Sequence, residues 1–305
     1  MSASPVLPPV LPSALWSDPA VIALLDAALA EDVGTGDVTT LCTVRSETRG
    51  VALIVAREAM IPAGLPVLEA LAKRLAAMGE AGAGADELRV VEAVEDGQAV
   101  AAGTVLCRVE GPARPLLTIE RCYLNLIGHL SGVATETARY VKAVRDAGAS
   151  TRVLDTRKTT PGQRLLEKYA VACGGGANHR MGLFDAVLIK DNHVIAAGGI
   201  GPAVRSALAR APEGIDVEVE VDNSQQLREA LEAGATAILL DNFTPQAVRD
   251  AVAEIAGRAR VEVSGGISLA TIADYARAGA DDISVGRLTH SAPTADVSME
   301  IELAL

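Results

Sequence analysis

The sequence predicts an α/β protein in which a barrel of parallel strands follows a compact α/β sandwich domain. Three observations point there. From about Asp18 to Gly128, short strand-like runs interleave with helical ones, the mixture expected of a small two-layer domain. Beyond that region, short apolar runs recur, each closed by a polar residue or glycine and followed by a helical stretch. The last four closing residues, Glu220, Asp241, Ser264 and Gly286, lie 21, 23 and 22 residues apart, about the length of one strand–helix unit with short loops. Successive units of this kind build a parallel sheet, and closing it into a barrel is the economical way to bury both faces.

Taken in order, the opening MSASPVLPPVLPSALW has no basic start and is broken by prolines, so it reads as a loose tail rather than a signal peptide. Helical periodicity runs through Val21–Ala30 and Leu65–Met78, and strand-like runs cover Gly50–Ala56, Leu88–Ala93 and Val105–Glu110. A helix from Pro115 through Ile127 closes the first region. The second region offers strands at Arg152–Asp155, Ala186–Lys190, Asp216–Val221, Ala237–Asp241, Arg260–Ser264 and Asp282–Gly286. Along Asp216–Val221 valines alternate with acids, so Glu218 and Glu220 share the inward face while the valines meet the helices. Glu262 and Ser264 pair in the same way. Buried acids are costly unless cations or metal accompany them, so an acid-lined barrel interior reads as a site, with a purely structural ion-pair network as the competing explanation.

Bulk composition narrows the function. The chain has 305 residues, 50% hydrophobic but only 2% aromatic, and a net charge of −12. A long-range field of that sign repels a phosphate backbone, and the scarcity of rings leaves no stacking platform, so nucleic acid is not an expected partner. No stretch reaches the roughly 18 uncharged apolar residues of a membrane helix. Cys42, Cys107, Cys122 and Cys173 show neither paired spacing nor a companion His cluster, which suits reduced thiols in a cytoplasmic protein.

In parallel α/β barrels the working residues sit at the C-terminal ends of the strands. Here those ends carry Arg157, Lys158, Lys190, Asp191, Glu220, Asp241 and Ser264. Between Thr151 and His193 seven Lys or Arg (152, 157, 158, 164, 168, 180 and 190) face four acids. A cationic pocket inside an acidic protein implies a small, strongly anionic ligand. Ser264-Gly265-Gly266 and Val285-Gly286-Arg287 follow the last two strands, where backbone amides commonly cradle phosphate. Cys173-Gly174-Gly175-Gly176 leads into Asn178-His179-Arg180. Glu220 and Asp241, on neighbouring strand ends, suit Mg²⁺ or ribose hydroxyls. No nucleophilic triad is visible; Cys173, His129 and His290 read as structural, and Asp191-Asn192 before His193 reads as a helix cap.

Three motifs then point to a family. Asp155-Thr-Arg-Lys-Thr-Thr-Pro-Gly162, Cys173-Gly-Gly-Gly-Ala-Asn-His-Arg180 and Leu188-Ile-Lys-Asp-Asn-His193 resemble the nicotinate-nucleotide pyrophosphorylase (carboxylating), or quinolinate phosphoribosyltransferase, family. The likeness runs from Glu31–Asp37 through Glu120-Arg121, Glu218–Asn223, Leu240–Phe243 and Ser264–Ile267 to Leu288–Pro293. It implies an incomplete, open α/β barrel at 129–289 beside an N-terminal α/β sandwich at 1–128, completed by 290–305. It implies conversion of quinolinate and phosphoribosyl pyrophosphate (PRPP) to nicotinate mononucleotide, pyrophosphate and CO2 with Mg²⁺, in NAD biosynthesis. It also implies a homodimer in which Arg121 enters the site from the other subunit. Arg157, His179 and Arg180 would hold quinolinate, and Lys158 and Lys190 would neutralise phosphate and developing charge. Glu220 and Asp241 would bind ribose and metal, and Ser264, Gly265, Gly266 and Gly286 the 5′-phosphate. Alternatives are a sister pyrophosphorylase of the molybdenum-transport type acting on another anionic acceptor, a Schiff-base lyase using Lys158 or Lys190, and a metabolite-binding scaffold.

Overall fold

Among the described residues there are ten strands: β1 (Arg49–Ala56), β2 (Arg89–Ala93), β3 (Val105–Pro112), β4 (Arg152–Leu154), β5 (Val187–Ile189), β6 (Val217–Val221), β7 (Ala237–Asp241), β8 (Arg260–Ser264), β9 (Asp282–Ser284) and β10 (Val297–Leu303). The structure is a computed structural model and describes residues 12–303, so residues 1–11 of the expected tail lie outside it. The rest of that segment is anchored rather than loose. Pro12–Leu15 forms a helical turn with Leu15 buried, and the Trp16 ring meets Tyr169 edge-on at 5.5 Å.

Two compact units appear: 12–136 with Thr159–Gly175 and 291–303, and Thr137–Lys158 with Gly176–His290. The first holds an antiparallel sheet in the order β10-β1-β3-β2. Local signals start its helices well. Asp18 caps Pro19–Asp32 by accepting the Ala20 amide at 2.8 Å, with proline at the first helical position, where its missing N–H costs nothing. Asp37 caps Val38–Thr43 through the Thr40 amide at 2.9 Å.

The helix expected at Pro115–Ile127 runs instead over Ala113–Asp146. Buried Leu116, Ile119, Tyr123, Ile127, Leu130 and Val133 form its apolar stripe, repeating every three or four residues. The two glycines beyond the expected end at Ile127, Gly128 and Gly132, serve close approach. The Ala295 amide donates to the Gly128 carbonyl at 2.9 Å, and a Cβ on Gly132 would lie 2.0 Å from the Pro293 oxygen.

The second unit is a parallel sheet in the order β4-β9-β8-β7-β6-β5. Its edge strands β4 and β5 do not pair with one another, so the barrel is open at that point, as the resemblance implied. Val219 and Val221 of β6 and Val261 and Val263 of β8, with Ile238, Leu240 and Ile283, are buried towards helices whose own apolar faces include Leu227, Val248, Ile255 and Ile272. The segment carrying Asn178-His179-Arg180 lies along β4. Ala177 and Leu154 form a parallel bridge, the Ala177 amide donates to the Val153 carbonyl at 2.8 Å, and the Asp155 amide donates to the Ala177 carbonyl at 3.2 Å. Among the described residues, no helix is long and apolar enough to cross a membrane.

Candidate active site

The inward faces of the barrel strands converge on a cavity of about 690 Å³ at their C-terminal ends. Its wall follows the period of two expected for strands: Glu220 from β6, Leu239 and Asp241 from β7, Glu262 and Ser264 from β8, and Ser284 from β9. Arg157 and Lys158 come from the loop after β4, His179 and Arg180 from the segment beside it, and Lys190 from the residue after β5. Gly265, Gly266 and Gly286 complete the rim. Arg121 does not line this cavity; it is an exposed residue on the part of the helix Ala113–Asp146 that belongs to the other unit.

Four of the seven cations in the basic stretch therefore reach the mouth: Arg157, Lys158, Arg180 and Lys190. Arg152 does not. It begins β4, at the opposite end, where its Nε and Nη2 donate to the two carboxylate oxygens of buried Asp282 at 2.6 and 2.9 Å. Arg164 and Lys168 belong to the other unit.

The mouth arginines crowd one another. Burial lowers the Arg180 pKa, and the Arg157 charge lowers it further. Arg180 Nη1 donates to the Ala186 carbonyl at 2.9 Å, while its Nε is buried with no hydrogen-bond partner. A half-buried guanidinium with an unmet buried donor and a like charge beside it favours a bound anion that satisfies both.

On the acidic side, Lys190 forms an ion pair with Glu220. Burial raises the Asp241 pKa, and the charge of Glu220 raises it again; Asn242 Nδ2 donates to its carboxylate at 2.6 Å. Two carboxylates that repel one another offer hard oxygen donors, which suits Mg²⁺. A cation there would relieve the strain on Asp241, so the residues fit the metal. Among the described residues, the group of three or more potential ligands that comes together is a different one, His179 with Glu218 and Glu262.

His179 Nε2 lies 3.5 Å from Glu218 and 3.4 Å from Glu262. Burial lowers its pKa, while the hydrogen bonds and charges of the two glutamates act the other way and raise it. The Arg180 amide opposes them. It donates to Nδ1 at 2.7 Å, where a second ring proton would meet the amide hydrogen. Glu262 accepts from the Ser284 hydroxyl, and Glu218 faces Arg260 Nη2 at 3.4 Å. A second cavity of about 420 Å³ lies among strand-start residues such as Arg152, Val187 and Arg260, and His179, Arg180 and Glu262 border both cavities.

The glycine rim has the expected backbone freedom. Gly265 adopts φ +93°, and a Cβ there would lie 2.2 Å from Asn242 Oδ1; Gly266 adopts φ +63° and faces open space. At Gly286 a Cβ would come within 3.1 Å of Lys158 Cδ. His290, read from sequence as a junction residue, also lines the mouth. A turn after Gly286 brings residue 290 back over that glycine, with the His290 amide donating to the Gly286 carbonyl at 3.3 Å. His193 differs as well. It joins the cap itself, accepting the Lys190 amide on Nδ1 at 3.0 Å, while Asp191 Oδ1 accepts the Asn192 amide at 2.7 Å.

Comparison with known proteins supplies the context for this geometry. Residues 37–131 match the family described as quinolinate phosphoribosyl transferase, N-terminal domain, and residues 133–300 match its C-terminal domain. A nicotinate-nucleotide pyrophosphorylase [carboxylating] of Mycobacterium leprae is 45% identical over 278 residues, covering 90% of this chain and 94% of the relative. A probable enzyme of the same name from Bacillus subtilis is 40% identical, covering 92% and 93%. The solved nicotinate-nucleotide pyrophosphorylase of Francisella tularensis superposes with a TM-score of 0.86 at 36% identity, covering 99% of this chain and 100% of that one. With both domain matches in chain order and relatives similar along nearly their full length, the chain belongs to the quinolinate phosphoribosyl transferase family.

Proposed function

We propose that the protein is a quinolinate phosphoribosyltransferase, joining quinolinate to PRPP and releasing nicotinate mononucleotide, pyrophosphate and CO2 in NAD biosynthesis. One observation carries the reading: two mutually repelling arginines, one with a buried unmet donor, share a cavity with a glycine rim and an acidic pair. Quinolinate carries two adjacent carboxylates, and the forked guanidinium matches that geometry better than an ammonium does. Each charge-assisted hydrogen bond is worth about 1.5–3 kcal/mol, so several together separate a diacid from a monoacid such as nicotinate.

At the other side of the mouth, the amides around Ser264, Gly265, Gly266 and Gly286 would take the 5′-phosphate of PRPP. Glu220 and Asp241 would hold the ribose hydroxyls and Mg²⁺. When bound, the ion neutralises charge on the departing pyrophosphate. Arg157 and Arg180 orient the pyridine nitrogen towards the anomeric carbon, and Lys158 and Lys190 stabilise charge that builds as the glycosidic bond exchanges. Loss of CO2 follows, drawn by the positive ring nitrogen of the nucleotide. No covalent enzyme intermediate is required. Lys190, held in an ion pair with Glu220, is a poor Schiff-base nucleophile, so the lyase alternative has no support at this residue.

The proposal extends to a homodimer in which Arg121 of a second copy completes the diacid pocket, and to a cytoplasmic enzyme with neither nucleic acid nor membrane as partner. The net charge of −12 supports the exclusion of nucleic acid. The direct test is release of CO2 from carboxyl-labelled quinolinate. Release must require both PRPP and Mg²⁺. Release without PRPP, or turnover of nicotinate at the same rate, would remove this function.

A further inference from the structure

The position of His179 beside Arg180 invites the reading that its ring binds the diacid directly. The hydrogen bonds point elsewhere. Nδ1 accepts the backbone N–H of Arg180 at 2.7 Å, and a nitrogen that accepts an amide carries a lone pair rather than a proton. The ring proton then sits on Nε2, which faces Glu262 and Glu218 at 3.4 and 3.5 Å. Both glutamates are fixed in turn. Glu262 accepts from the Ser284 hydroxyl, and Glu218 faces Arg260, whose Nη1 pairs with Asp282 at 2.5 Å. From the chain side, the His179 amide donates to Asp155 Oδ1 at 2.9 Å, and Asn178 Nδ2 donates to Asp155 Oδ2 at 2.6 Å. Strands β6, β8 and β9 thus hold one imidazole, and that imidazole holds the amide of the residue whose guanidinium reaches the mouth.

We propose that His179 is a positioning residue that sets the Arg180 backbone, and through it the guanidinium, rather than a contact of the diacid. The physical reason lies in the fold. The 177–180 segment lies beside β4 at the open edge of the barrel, where Arg180 has no neighbouring strand ladder to fix its φ and ψ. A ring accepting the Arg180 amide, braced by buried carboxylates, replaces that constraint. Orientation matters because a fork of two N–H donors meets a carboxylate only in one plane.

This inference rests on the proposed quinolinate reaction, and a double-mutant cycle tests it. His179→Ala, Arg180→Ala and the double variant are compared by their Michaelis constants for quinolinate and PRPP. With Arg180 present, His179→Ala should raise the quinolinate constant about tenfold, the scale of one charge-assisted hydrogen bond. With Arg180 already replaced, the same change should cost less than about twofold, because the interaction it serves is gone. The PRPP constant should stay within about twofold in the single variant. An equal effect of His179→Ala in both backgrounds means an independent contact with the diacid and overturns the proposal.

A second measurement does not depend on the variants folding. In the ¹⁵N spectrum of the native enzyme, His179 Nδ1 should show an imine-type resonance that persists when quinolinate binds. A protonated Nδ1 throughout, or an Nε2 resonance transferred to the ligand on binding, would equally overturn it. If the native enzyme shows no quinolinate-dependent pyrophosphate release, the failure belongs to the proposed reaction; the ¹⁵N result still reports the ring geometry on its own.

Discussion

Burial and the Arg157 charge both pull the Arg180 pKa down, so this pair of cations gains most from a ligand bearing two negative charges. Arg157→Ala should therefore raise the quinolinate Michaelis constant about 10- to 100-fold, from the loss of one or more bonds worth about 1.5–3 kcal/mol, with a much smaller change for PRPP. Steady-state kinetics with each substrate varied in turn decides it; equal effects on both would contradict the assignment. Gly265 makes the complementary case on the side proposed for the phosphate. It holds φ +93°, and an added Cβ would lie 2.2 Å from Asn242 Oδ1 and 2.8 Å from its amide nitrogen. Gly265→Ala should raise the PRPP constant at least about tenfold, given strain of about 1–3 kcal/mol at such a position, while sparing that for quinolinate. Residues of both kinds were legible in the sequence because strand ends are where barrel chemistry gathers. Glu262 and His290 were not assigned to the mouth, since nothing local tells whether an inward acid supports the site or a junction histidine turns back over it.

Helix Ala113–Asp146 shows how a local signal misleads at the scale of an element. The expected helix ended at Ile127, and glycine lowers helix propensity by about 1 kcal/mol relative to alanine. The helix pays that penalty twice, at Gly128 and Gly132, and the chain at 293–295 lies against the bare backbone there. Gly132→Ala improves propensity yet drives a methyl to 2.0 Å from the Pro293 oxygen. The expected result is a net destabilisation of about 1–3 kcal/mol, the usual scale of overpacking, read as a lower urea midpoint. A midpoint that rises would show that propensity dominates. By contrast, β6 to β8 were placed within one residue of their observed bounds from apolar periodicity alone, because each strand is short, regular and bounded by polar residues.

Across the whole molecule, burial raises the pKa of three of the four thiols. Cys107 and Cys122 are pushed up to about 11 and Cys173 to about 12, from an ordinary 9.0. Folding thus tightens proton binding at each. Their stabilising contribution is complete below pH 9 and is lost as pH climbs through 11 to 12, so urea midpoints should fall over that window. A midpoint that holds steady across it would remove the effect. The proposed dimer has its own test. Mixing Arg121→Ala with Lys190→Ala protein should restore activity that each lacks, because a mixed dimer has one site with neither defect; failure to restore it would place Arg121 outside the partner's site. Sequence by itself determined the repeat of strand–helix units, the cationic and glycine-bearing strand ends and the family, since each is written in local pattern and spacing. Only the tertiary structure decided which four of the seven cations meet, that Arg152 instead pairs with Asp282 at the far end, and that His179 is braced from three strands. Those facts depend on where the chain crosses itself, which local periodicity does not encode.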